Sequence, residues 1–184
     1  MKKTMKEYLD MINSIEKKNI VEGTFVDYDP MFGDDGVPIT PDNIGGKNIR
    51  RAGFIPFYID DDGDVFAYTM IPSDPAYGGT EPQLAKGKLN DGLSSKETAV
   101  KEAEEELGLI KSNLSYVNLL GVYPYKQGDQ DNIAVYYGEV KNSELWSEYH
   151  YETGWTGWIN LTTDLGKIRS RQQPIFKDLL NKVS

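Results

Sequence analysis

Between Ser94 and Gly108 the chain commits to one helix with both ends marked. Ser94 stands three residues before Glu97, the spacing at which a serine hydroxyl and a glutamate carboxylate each accept from the other's backbone N–H. Gly108 falls where a left-handed C-terminal cap is wanted. Between the caps, Ala99, Val100, Ala103 and Leu107 recur at the 3.6-residue period and predict a single apolar stripe. At about 100° per residue, Glu102, Glu105 and Glu106 share roughly a third of the circumference beside that stripe. Three carboxylates so close repel one another in isolation. A hard divalent cation, Mg²⁺ or Mn²⁺, relieves that repulsion because it prefers oxygen ligands. Most glutamate runs on helices are solvated faces. This one differs in its setting, with a turn glycine at Gly87, a capped start and a closing Gly108-Leu109 pair.

The arrangement resembles the signature of the Nudix hydrolases, G-x5-E-x7-R-E-U-x-E-E-x-G-U, where U is aliphatic. Gly87, Glu102, Ala103, Glu105, Glu106, Gly108 and Leu109 match it. Leu93 stands in place of the first glutamate and Lys101 in place of the arginine. The resemblance implies a loop-helix-loop that binds divalent metal against a diphosphate. It makes Glu105 and Glu106 the principal metal ligands, Glu102 a further ligand or orienting base, and the Lys86 carbonyl an extra ligand. Glu148 and Glu152 precede the last expected strand, where the family often supplies another carboxylate as base or ligand; a solvated loop glutamate is the plainer alternative for each. The two missing family residues normally brace the loop. Glu97 and Lys101, four apart in the favourable order, are expected to replace part of that brace, and Leu93 is expected to pack on the core side.

The rest of the chain is compatible with this. Its 184 residues suit one compact domain, expected over residues 50–184 with residues 1–49 as an N-terminal helix and irregular extension. A formal charge of −9 speaks against a broad nucleic-acid surface. With no cysteine, disulfides, thiol nucleophiles and cysteine zinc sites are excluded. No apolar run approaches the length of a membrane span, so a cytoplasmic protein with no membrane partner is expected. The oligomeric state is left open, a homodimer included. His150 is the only histidine, and nothing near it resembles a nucleophile elbow.

Residues 4–18 read as an amphipathic helix and 19–50 as a Gly-, Pro- and Asp-rich irregular segment, with a short strand at 21–28. Strands are expected at 51–59 and 64–71 around an Asp62-Gly63 turn, with Pro56 marking an edge or a bulge. Further strands are expected at 114–125, 133–140 and 155–161, with a turn at 128–131 and a closing helix over 168–183 that starts or kinks at Pro174. This order fits an α+β fold with a mixed sheet between helices, and the resemblance implies the α/β/α sandwich of the Nudix family.

The function implied is a metal-dependent pyrophosphohydrolase acting on a nucleoside diphosphate linked to a group X. Arg50, Arg51, Lys86 and Lys88 are candidates to hold its phosphates. Beyond the box, Tyr123, Pro124 and Tyr125 occupy the region that in this family reports the substrate. A proline there is typical of ADP-ribose hydrolases and a tyrosine slightly further on of dinucleoside polyphosphate hydrolases. ADP-ribose or a similar ADP-X compound is favoured, with dinucleoside polyphosphates or capped RNA ends next. The rival from another class is a non-catalytic nucleotide-binding module on the same fold, which the departures at Leu93 and Lys101 keep open.

Overall fold

The computed structural model describes residues 42–89, 92–125 and 132–184, within a compact unit spanning Thr40–Ser184. The expected helix at 4–18, strand at 21–28 and turn at 128–131 lie outside the described residues. Seven strands form one mixed sheet: β1 (Asp42–Ile44), β2 (Lys47–Ile59), β3 (Val65–Pro72), β4 (Ala85–Lys88), β5 (Asn118–Pro124), β6 (Asn132–Glu139) and β7 (Thr153–Asn160). Among the described residues three α-helices accompany them: α1 (Ser95–Leu107), the short α2 (Leu161–Asp164) and α3 (Gln173–Val183). Among the described residues no helix is long and apolar enough to cross a membrane.

The hub is β2. Along one side it pairs in parallel with β6; along the other it pairs antiparallel with β4 over Arg51–Phe54 and with β3 over Phe57–Ile59. Pro56, expected at an edge or a bulge, is buried in this central strand. It stands in the gap where β4 has ended and β3 has not begun, so its missing N–H costs no ladder bond there. The strand also starts earlier than expected. Gly45-Gly46 forms a two-residue turn between β1 and β2, so residues 42–50 are a hairpin and not an irregular segment.

Alternation along the strands sorts the core. Ile55 and Phe57 of β2 and Ile133, Val135 and Tyr137 of β6 share one face, where Ile175, Phe176 and Leu179 of α3 complete the cluster. The opposite face carries α1, packed against β2, β4 and β6 through Ala99, Val100, Ala103 and Leu107. This unit is thus a mixed sheet with helices on both faces. The closing helix is shorter than expected; Pro174 sits in its first turn, where a missing N–H is tolerated.

Candidate active site

At its N-terminus α1 is held by side chains. Ser94 and Glu97 form the expected capping box. Asp42 of β1 adds a second tie, accepting from the Ser95 N–H at 3.1 Å and the Ser95 hydroxyl at 2.8 Å. The Ser95 Oγ also lies 2.7 Å from the Tyr136 hydroxyl of β6. Burial pushes the Asp42 carboxyl up, yet the hydrogen bonds from Ser95 and Asn43 outweigh it and leave the group below the usual range. The expected Glu97–Lys101 pair is not what forms. Glu97 accepts from the Ser94 N–H and hydroxyl, and Lys101 turns to Glu105 at 3.2 Å. Leu93 is only half-buried, so the core-side packing expected of it is partial.

The C-terminal end is held by backbone. The segment between β6 and β7 crosses it, donating Ser147 N–H to the Gly108 carbonyl and His150 N–H to the Glu105 carbonyl, each at 2.7 Å. The Thr153 hydroxyl donates to the Glu106 carbonyl at 2.8 Å. These donors satisfy carbonyls that every helix end leaves open. Trp146, stacked on Tyr68 with ring centroids 3.7 Å apart, anchors the segment on the sheet. Gly108 (φ 71°) has no room for a side chain: a Cβ there would lie 2.1 Å from the Ser147 carbonyl oxygen.

The carboxylates stand at the junction of α1 and β4. Glu102 covers Gly87, where a Cβ would come within 2.2 Å of its carboxyl carbon. The first glycine of the box is therefore a seat for a glutamate. Glu106 accepts from the Lys86 N–H at 2.9 Å, on the edge of β4 that faces away from β2. In an antiparallel ladder a residue's N–H and C=O point the same way, so the Lys86 carbonyl is on the Glu106 side too. Burial pushes the Glu106 carboxyl up to about 7; the Lys86 N–H and ammonium oppose this, and Glu152 and Glu105 add to it. A carboxylate so disfavoured in its charged form is one that a cation would stabilise.

Among the described residues no three Asp, Glu or His side chains meet at metal-ligand spacing. Glu105 is drawn to Lys101 and Glu102 lies over Gly87. The donors nevertheless suit a hard divalent ion in kind, and Glu102, Glu105 and Glu106 project from one face of α1. Glu152, exposed, is within electrostatic reach of Glu106 and lies 3.8 Å from His150 Nδ1. Glu148 is exposed on the crossing segment.

On the other face of the sheet lies a cavity of about 230 Å³ lined by Tyr77, Lys86, Pro124, Tyr125, Arg169 and Arg171, among others. Lys86 therefore belongs to both places: its backbone meets Glu106 and its side chain meets the cavity. Of the other nominated cations, Arg51 stacks on the Tyr125 ring at 4.1 Å, Lys88 is its ladder partner, and Arg50 is buried. Tyr123, a candidate of the substrate-reporting region, is not among the residues lining this cavity. It packs against the core, and its hydroxyl, pushed up by burial, donates to Asp178 of α3 at 2.9 Å.

Residues 50–179 match the NUDIX domain. The chain belongs to that family. It is a Nudix hydrolase, of a family acting on pyrophosphate bonds. A comparison with curated proteins gave no match. Solved structures share the fold. A C. elegans Ap4A hydrolase in a binary complex is 14% identical with a TM-score of 0.57, covering 73% of this chain and 96% of that one. The Nudix hydrolase RenU from M. smegmatis is 10% identical with a TM-score of 0.60, covering 85% and 96%. The NUDIX domain of Shewanella oneidensis NrtR, complexed with ADP ribose, is 10% identical with a TM-score of 0.58, covering 74% and 88%. At such identities the likeness is one of fold.

This Nudix hydrolase keeps the second half of the box and re-engineers the first, with Asp42, Ser95 and Tyr136 tying the helix start to the sheet. Sequence reasoning missed Gln83, Arg169, Arg171 and Tyr77. The one local signal was Arg169-Ser170-Arg171, two arginines in three residues of an acidic chain.

Proposed function

We propose that this Nudix hydrolase cleaves the diphosphate of a nucleoside diphosphate linked to a second moiety, with ADP-ribose or a similar ADP-X compound first among its substrates. The observation that carries this reading is the double placement of Lys86, which joins a buried glutamate of the box to a cationic cavity containing Pro124 and Tyr125. Glu102, Glu105, Glu106 and the Lys86 carbonyl would hold Mg²⁺ or Mn²⁺. When bound, such an ion neutralises charge developing on phosphate oxygens and acidifies a water. Glu152, exposed and within electrostatic reach of Glu106, accepts the proton in this reading. Lys86, Arg169 and Arg171 bind phosphate oxygens, and Tyr125, held by Arg51, offers a ring to a base or ribose.

Dinucleoside polyphosphates or capped RNA ends form the second reading, favoured by the three cations on one cavity. The test is incubation with ADP-ribose and with diadenosine polyphosphates, in Mg²⁺ and in EDTA, with product analysis. AMP and ribose 5-phosphate from ADP-ribose, abolished by EDTA, is the expected result. Turnover of the polyphosphates beside none of ADP-ribose reverses the ordering. Nucleotide binding without any turnover points instead to a binding module.

A further inference from the structure

Gln83 is 1% exposed, and its side-chain oxygen and nitrogen both have partners. Its Oε1 accepts from the Lys86 ammonium and from the Arg169 guanidinium, each at 3.3 Å, while its Nε2 donates to the Gly78 carbonyl at 3.3 Å. One neutral oxygen thus gathers two cations from segments far apart in the chain. Among the described residues neither Lys86, Arg169 nor Arg171 forms a salt bridge with a carboxylate. Two cations side by side repel each other. Glu106 is within electrostatic reach of Lys86, but among the described residues no carboxylate pairs directly with either cation, although a chain of net charge −9 had acidic residues available to place there.

The positions are fixed from behind. The Arg169 N–H donates to the Pro82 carbonyl at 3.0 Å, and the Leu84 N–H donates to the buried Gln172 Oε1 at 2.9 Å. The segment before α3 is thereby sewn to the segment leading into β4, on the same outer edge where Lys86 N–H meets Glu106. A Cβ at Gly78 would lie 2.6 Å from Gln83 Nε2, so a side chain there would displace the amide.

We infer that Lys86 and Arg169, gathered by Gln83, form a preformed subsite for a phosphate group of the substrate, and that Gln83 is its positioning residue. The inference rests on the cavity being the substrate cleft. The subsite takes the phosphate of the scissile diphosphate that is not held at the carboxylates, so that the diphosphate straddles β4. The buried amide suits this role because it orients both cations without neutralising them, which a glutamate would do. Arg171, on the same cavity, adds charge without sharing that oxygen.

The experiment is calorimetric titration of the full chain with inorganic pyrophosphate in EDTA, followed by steady-state kinetics in Mg²⁺. The wild type binds pyrophosphate without metal. Gln83→Glu and Arg169→Ala each weaken that binding by about tenfold or more, the scale of one lost charge-assisted contact, and Arg169→Lys restores part of it. On the best substrate Gln83→Glu raises KM by a similar factor and moves kcat by less than about threefold, because a ground-state contact is lost. Arg169, half-exposed, keeps the test open should a buried charge at position 83 unfold the protein. Unchanged pyrophosphate affinity in Arg169→Ala, or no metal-free binding in the wild type, overturns the subsite. Glu105→Gln separates the two readings. If the wild type turns over no substrate while pyrophosphate binding follows this pattern in the variants, and is intact in Glu105→Gln, the hydrolase assignment falls and the subsite stands.

Discussion

At the start of α1 side chains do the holding, and each has an identity that matters: Ser94, Glu97, Asp42 and Ser95. At its end the donors are mostly backbone N–H groups of Ser147 and His150, which any residue but proline could supply. The start is therefore open to substitution of its polar groups, whereas the end is sensitive to shape. Glu105 and Glu106, the carboxylates proposed for catalysis, sit near the end, on the part of the helix fixed by geometry and not by side-chain choice. That is where precision of position counts most for chemistry.

The largest effect expected is on turnover. Glu105→Gln and Glu106→Gln remove charged donors at the packed end, and each should lower kcat by about 10²–10⁴-fold or more while the fold survives. Near-normal product formation by both variants would remove the box from the chemistry. The next effect separates Glu106 from its neighbours. Its folded carboxyl is raised from 4.5 to about 7, so it favours the folded state fully below 4.5 and loses that contribution as pH rises through 7. Metal-free protein should accordingly lose up to about 3 kcal/mol across this window through Glu106 alone. Urea unfolding in EDTA at pH 6 and pH 8 should show a smaller drop in Glu106→Gln than in the wild type; equal drops would contradict it.

Glycine substitutions sharpen the contrast in shape. Gly92 and Gly108 both have positive φ, but a Cβ at Gly92 meets nothing within 4 Å whereas one at Gly108 runs into Ser147. Gly92→Ala should cost about 1 kcal/mol, and Gly108→Ala about 2 kcal/mol or more, with the crossing segment displaced. Equal costs in thermal or chemical denaturation would mean that the segment is not wedged against the helix end. Smallest of all, Ser94→Ala should cost about 1 kcal/mol through loss of the cap, with kcat nearly unchanged. A large loss of activity there would show that the two ends are not separable.

What could be read from the sequence was what is local. The capping box, the apolar stripe, Gly108 and the Asp62-Gly63 hairpin each lie within a few residues, where spacing and geometry are linked directly. The same locality misled over Glu97 and Lys101. Their i,i+4 spacing was sound, but Glu97 was already bound by the cap and Lys101 had a second carboxylate four residues further on. Tyr123 and Tyr125, two residues apart, both pack against the core, but only Pro124 and Tyr125, at the end of β5, also line the cavity, while the Tyr123 hydroxyl is taken by Asp178 of α3. The cationic cavity was illegible because Gln83, Lys86 and Arg169 meet only after the segment before α3 has docked beside β4. No spacing within one segment announces a contact made between two.

The crowding around β2 has a bearing on how the protein is made. This strand needs β6 along one whole side, and β6 ends at Glu139, about eighty residues after β2 is complete. A growing chain at the ribosome would hold β2 with only its β1, β3 and β4 partners, leaving a long unpaired edge exposed until the later hairpin emerges. Non-local parallel pairing of this kind is slow to form. The central strand that organises the finished site is thus the segment most open to mispairing during synthesis, and refolding yield should fall with protein concentration before any defect in the native state is visible.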